Sequence, residues 1–97
     1  MSKRTRHPQK DRNGRRLRKG DVVRIIGVPD LSGMHPEFQA DSLPVFQYLV
    51  GKYKRIDGFD KIGCAELNFK MHAKNEITRH RVWIEPFLLH RRRTNAL

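Results

Sequence analysis

Apolar and polar positions change rhythm several times along this chain, and each rhythm predicts an element. Gly20-Asp21 opens a β-branched run, Val22-Val23-Arg24-Ile25-Ile26-Gly27-Val28, which Pro29-Asp30 closes; this is the signature of a strand bounded by a turn. Residues 29–41 are rich in turn formers, with Ser32-Gly33 and His35-Pro36, and predict a surface loop. In residues 42–51, Ser42 can cap, Pro44 fits a first turn, and Val45, Phe46, Leu49 and Val50 recur at helical spacing before Gly51. A short helix over about 43–50 follows, with a strand as the competing assignment because Val45-Phe46 and Tyr48-Leu49-Val50 have good β propensity.

Alternation dominates the second half. Residues 52–59, with Tyr53 and Ile56, predict a second strand, and Asp60-Lys61-Ile62-Gly63 a short loop with Gly placed for positive φ. From Cys64 to Met71, Ala, Leu, Phe and Met alternate with Glu, Asn and Lys, the pattern of a strand with one wet face. Residues 72–79 form a polar loop in this reading, and residues 80–85 a fourth strand stopped by Pro86. Phe87-Leu88-Leu89 then predicts a docked single turn or a fifth short strand.

The expected fold class is mainly β, with four to five short antiparallel strands and one short helix, in a single domain over residues 20–89. Four stretches carry a resemblance: Gly20-Asp21-Val22-Val23-Arg24-Ile25, Val50-Gly51-Lys52-Tyr53, Gly63-Cys64-Ala65-Glu66-Leu67 and Val82-Trp83-Ile84-Glu85-Pro86-Phe87-Leu88. Together they resemble SH3-like small barrels, cover most of residues 20–89, and are similar to a group of small bacterial proteins of this type. In outline they are also similar to ribosomal and transcription-associated barrels that begin with a Gly-Asp-hydrophobic strand. The chain departs from proline-peptide-binding SH3 domains, whose long loop presents clustered aromatics, because residues 29–41 offer only Phe38. A barrel fold supports many functions, so the resemblance bears on the fold first.

Charge changes the picture. The formal net charge of +11 lies in the tails: residues 1–19 carry nine Lys or Arg against one Asp, and residues 90–97 add Arg91, Arg92 and Arg93. Residues 20–89 hold nine basic and nine acidic side chains. With one aliphatic side chain, Leu17, after the initiator Met, residues 1–19 are expected to be a disordered basic tail, and residues 90–97 a second one. The beginning of the chain has positive charge but no apolar run behind it, so neither a signal peptide nor an anchor is expected, and no membrane contact. A lone cysteine, Cys64, cannot form an internal disulfide, which fits the reducing cytoplasm.

The candidate chemistry is therefore phosphate binding. Arg4, Arg6, Lys10, Arg12, Arg15, Arg16, Arg18, Lys19, Arg91, Arg92 and Arg93 can neutralise phosphates, with affinity falling steeply with salt as counterions are released. The bland alternative is a solvated tail that aids solubility. Trp83 is out of phase with Val82 and Ile84, so it faces outward if they face the core; there it can stack on a base, contact a partner, or cover a minor cluster with Phe87 or the long loop. Tyr53 and Tyr48 invite the same argument. His35, His72, His80 and His90 match no short ligand spacing, so no metal is expected, and no cofactor or small-molecule substrate. Asp60 reads as a turn former, Cys64 as packing, and Gly51, Gly58 and Gly63 as caps and turns, which leaves no catalytic constellation.

The sequence thus predicts a non-catalytic binding module that contacts nucleic acid through its tails. RNA is preferred over DNA on the outline shared with ribosomal barrels. A protein–protein adaptor or accessory subunit, whose barrel surface binds an acidic protein partner, is the alternative.

Overall fold

The computed structural model describes residues 8–73 and 75–92. Their order is β1 (Val22–Ile25), α1 (Pro36–Leu49), β2 (Tyr53–Arg55), β3 (Gly58–Phe59), β4 (Ala65–Ala73), β5 (Glu76–Ile84), a 3-10 turn (Pro86–Leu88) and β6 (Leu89–Arg91). The strands form two antiparallel three-stranded sheets, ordered β2-β1-β6 and β3-β4-β5. The fold is mainly β with one helix, as the alternation implies. It has six described strands rather than four to five, and no strand of one sheet pairs with a strand of the other, so the ladders close no barrel among the described residues.

The extra strand comes from residues 52–59, which make two short strands instead of one. The chain changes sheets at Ile56, whose N–H donates to the Asp21 carbonyl (2.9 Å) while the next N–H, of Asp57, donates to Glu66 (2.9 Å). Ile56 itself is buried in the core shared by both sheets. Alternation survives such a crossing, so periodicity alone reads it as one strand.

Two loops were longer in expectation than in fact. The helix starts at Pro36, where His35 Nδ1 accepts from the Glu37 N–H (3.3 Å) and Pro36 occupies the first turn. Ser42 is consequently no cap, and Pro44 lies inside α1, where it lacks the N–H that would reach the Ala40 carbonyl. Phe46 and Leu49 hold the helix on the core, and Gly51, at φ 85°, ends it. Likewise, residues 72–79 are no loop: β4 and β5 stay paired out to Ala73↔Glu76. Their far end is polar because it projects away from the core.

The tails differ most from expectation. Residues 8–19 form an ordered arm, because Leu17 is fully buried among Val23, Ile25 and Leu89 in the core cluster, and its N–H donates to Gln9 (2.8 Å). The burial of Leu17 and the hydrogen bonds of Asp11 tie these residues to β1 and β6, contacts that composition by segment does not show. His90 and Arg91 belong to β6, and the Arg92 N–H donates to the Val22 carbonyl (2.8 Å). Residues 1–7 and 93–97, including Arg4, Arg6 and Arg93, lie outside the described residues.

Candidate functional site

Strand alternation on the first sheet separates a core face from a wet face. Val23 and Ile25 of β1 and Leu89 of β6 are buried, so Arg24 points outward. Register sets Arg24 beside Tyr53 on β2 and His90 on β6, and Val22 beside Arg55. The same period carries Arg92, two residues after His90, onto this side. Arg24, Arg55 and Arg92 are exposed, and Tyr53 keeps 53% of its surface in water.

The arm completes this face. Asp11 is buried, with Oδ1 accepting from the N–H groups of Asn13 (2.9 Å) and Arg15 (2.8 Å) and Oδ2 from that of Arg91 (2.8 Å). Burial by itself raises its pKa, but the three N–H donors and the nearby His90 outweigh that and hold the carboxyl below its ordinary value. The Arg12 N–H donates to the Leu89 carbonyl (3.0 Å), so the arm covers the outer edge of β6. Asn13 Nδ2 then donates to His90 Nε2 (2.7 Å). The result is a depression of about 530 Å³ bordered by Asn13, Arg15, Tyr53, His90, Arg91 and Arg92.

Among the described residues no carboxylate comes within ion-pair distance of Arg15, Arg24, Arg55 or Arg92; the ion pair Arg81–Glu66 (3.7 Å) is on the second sheet. Three acids of the domain are engaged elsewhere. Asp21 accepts from the Arg18 N–H, Asp57 binds Asn68, and Asp60 Oδ1 accepts from the N–H groups of Ile62 and Cys64. Equal numbers of acids and bases in residues 20–89 therefore conceal Arg24 and Arg55, which join Arg15 and Arg92 from outside that range in an uncompensated cationic face.

Of the cations expected from the sequence, Arg15 and Arg92 border the depression, and Lys10, Arg12, Arg16, Arg18 and Lys19 are exposed along the arm. Arg91 is different: its Nη1 donates to the Arg16 carbonyl (3.2 Å), its Nε is buried without a partner, and its main role is to hold the arm. Arg24, Arg55, Asn13 and His90 were missed. Counting charge by segment hid the two arginines, although Arg24 stands out of phase with Val23 and Ile25 in the sequence, and Asn13 and His90 meet only through the docked arm.

Trp83 faces outward, 46% exposed, but on the second sheet opposite Glu66, away from Tyr53. Tyr48 is committed to packing: its ring stacks on Phe69 (6.2 Å) and Lys52 Nζ sits 4.1 Å from its centroid. Phe69 in turn stacks on His80 (5.6 Å). Cys64 is buried, and burial, with the charges of Asp60 and Glu85, pushes its thiol up to about 11, which leaves almost no thiolate at neutral pH. No three His, Cys, Asp or Glu side chains are grouped to hold a metal ion among the described residues, and no described helix is long and apolar enough to cross a membrane. No protein-family model, curated protein or solved structure matches this chain.

Proposed function

We propose that this chain is a non-catalytic nucleic-acid-binding module, and that the outer face of β2-β1-β6 with its docked arm is the contact surface. The observation that carries this reading is the set of unpaired cations, Arg15, Arg24, Arg55 and Arg92, around the exposed ring of Tyr53. Arginines supply bidentate bonds to phosphate, and an exposed ring offers a sequence-tolerant platform for a base. Such a combination suits single-stranded RNA, whose unstacked bases are free to reach the ring. Residues 1–7 and 93–97 add further cations to the same chain.

We keep the SH3-like resemblance as a proposal about the fold alone, since such a build serves many functions. The second strand region shared between two sheets, the long β4–β5 hairpin, and a 3-10 turn leading into a last strand beside β1 are the features that favour it. The cytoplasm, where Cys64 stays a thiol, is its natural setting.

The test is fluorescence anisotropy with single-stranded and duplex RNA and DNA across a salt series. Four contacts to a single strand give a log–log salt slope of about −3, from about −0.7 per phosphate. Binding that is insensitive to salt, or absent for every nucleic acid, contradicts the proposal.

A further inference from the structure

The second sheet carries cations of its own. Leu67 and Phe69 of β4 and Val82 and Ile84 of β5 are buried, so alternation turns Asn68, Lys70, Arg79 and Arg81 outward. Register sets Lys70 directly opposite Arg79, and Asn68 opposite Arg81. Over these pairs lies an open depression of about 660 Å³, bordered by the same four residues together with Phe69 and His80.

Like charges directly opposite on neighbouring strands, with Cβ atoms about 5 Å apart, are destabilising. Here no acid offsets them: among the described residues no carboxylate comes within ion-pair distance of Lys70 or Arg79. The acids near this face are committed. Glu66 faces Arg81 Nε (3.7 Å), while Asp57 Oδ2 accepts from the backbone and side-chain N–H groups of Asn68 (both 3.0 Å). Glu76, the one acid in residues 67–83, is in phase with Thr78 and His80 on the other side of β5. Arg81 Nε also donates to Asn68 Oδ1 (3.0 Å), which steadies its guanidinium two residues, or about 6.8 Å, along the strand from Arg79.

We infer that this depression is a second phosphate-binding site, where Lys70, Arg79 and Arg81 hold the backbone of a second RNA segment; the inference rests on the proposed function and adds to it. Three observations select that occupant. A phosphate between Lys70 and Arg79 relieves a repulsion that is present in the free chain, so these cations gain more from an anion than isolated surface cations do. An acidic protein partner would need an apolar anchor, and neither Ile77 nor Trp83 borders the depression. Trp83 stands opposite Glu66 and borders a separate groove against α1, with Met34 and Phe46. Finally, both sheets bury their inner sides in one core, so their outer faces point away from each other and one short strand cannot lie on both. The chain then bridges two segments of RNA.

The experiment titrates the full chain at low salt with a single-stranded uridine hexamer, followed by amide chemical shifts and native mass spectrometry. Expected are two hexamers per chain, with shifts at residues 68–70 and 79–81 that saturate after those at Arg24, Tyr53 and His90. Lys70→Glu, at an exposed position, attracts Arg79 where the lysine repels it. This variant should raise the melting midpoint of the free chain, weaken the second hexamer about tenfold and leave the first unchanged. Arg24→Glu combined with Arg55→Glu should weaken the first hexamer and keep the shifts at 68–70 and 79–81. One hexamer per chain, with shifts confined to Arg24, Tyr53 and His90, overturns the inference and leaves the first face standing; no hexamer bound at all overturns both. Indifference of the second hexamer to Lys70→Glu also overturns it. So does a hexaglutamate peptide that reproduces the shifts at 68–70 and 79–81 with equal affinity, since the site then takes an acidic protein.

Discussion

The outer face of β2-β1-β6 and the helix side of the molecule are built from similar materials to opposite effect. On the sheet, alternation places Arg24, Arg55 and Arg92 around Tyr53, and the arm adds Arg15, with no acid within reach among the described residues. On the helix side, 27 consecutive residues, from 25 to 51, lack Lys and Arg altogether, and apolar groups meet the water instead. Register gathers Arg24 and Arg55 with Arg15 and Arg92 on one surface, a local excess that the sum of zero for residues 20–89 does not show. Local placement of charge, more than its total, decides which partner a surface can take.

The largest effect on this contrast is expected from detaching the arm. Leu17→Ala removes a fully buried side chain and should lower stability by about 2–4 kcal/mol, read by chemical denaturation. It should also loosen Arg15 and Asn13 from the cationic face, visible as faster amide exchange at residues 9–17. If exchange there is unchanged, the arm is held by something other than Leu17.

Next comes Tyr53→Ala, expected to weaken single-stranded RNA by about tenfold, or about 1.4 kcal/mol, and duplex RNA much less. Equal losses for both would remove stacking from the account. Trp83→Ala should leave RNA affinity unchanged, which sharpens the division between the two faces.

Asp11→Asn should cost about 1 kcal/mol, since an amide oxygen replaces a carboxylate that accepts three N–H bonds. Because the folded pKa of Asp11 lies below its ordinary value of 3.8, its contribution is complete above that value and is lost as pH falls through the lowered one. Amide exchange of the arm should therefore rise below about pH 3.8 in the wild type and show no such step in Asp11→Asn. The smallest effect is at Cys64, which should resist iodoacetamide at neutral pH in the folded chain and react once unfolded.

Much of the fold was legible in the residues because alternation survives tertiary context. Cys64 to Met71 reads as a strand with one wet face, and β4 (Ala65–Ala73) contains all of it but Cys64; Asp60 forms the turn that its position suggests. Outward-facing Trp83 follows from the burial of Val82 and Ile84. What composition could not show were contacts between distant segments. Leu17 looks isolated among cations until β1 and β6 supply its pocket, and Asp11 looks like one acid in a basic tail until Arg91, eighty residues on, donates to it. The cationic face was hidden for the same reason: Arg24, Tyr53 and His90 are far apart in sequence and become neighbours only through register.

The measurement closest to the central claim is the RNA affinity of the full chain beside that of the triple variant Arg24→Glu, Arg55→Glu, Arg92→Glu across a salt series. These side chains are exposed, so the fold should persist, as circular dichroism would confirm. The account predicts an affinity loss of about 100-fold at low salt and a log–log slope shallower by about 2, from about −0.7 per lost contact. Unchanged affinity and slope in a folded triple variant would show that nucleic acid does not meet this face.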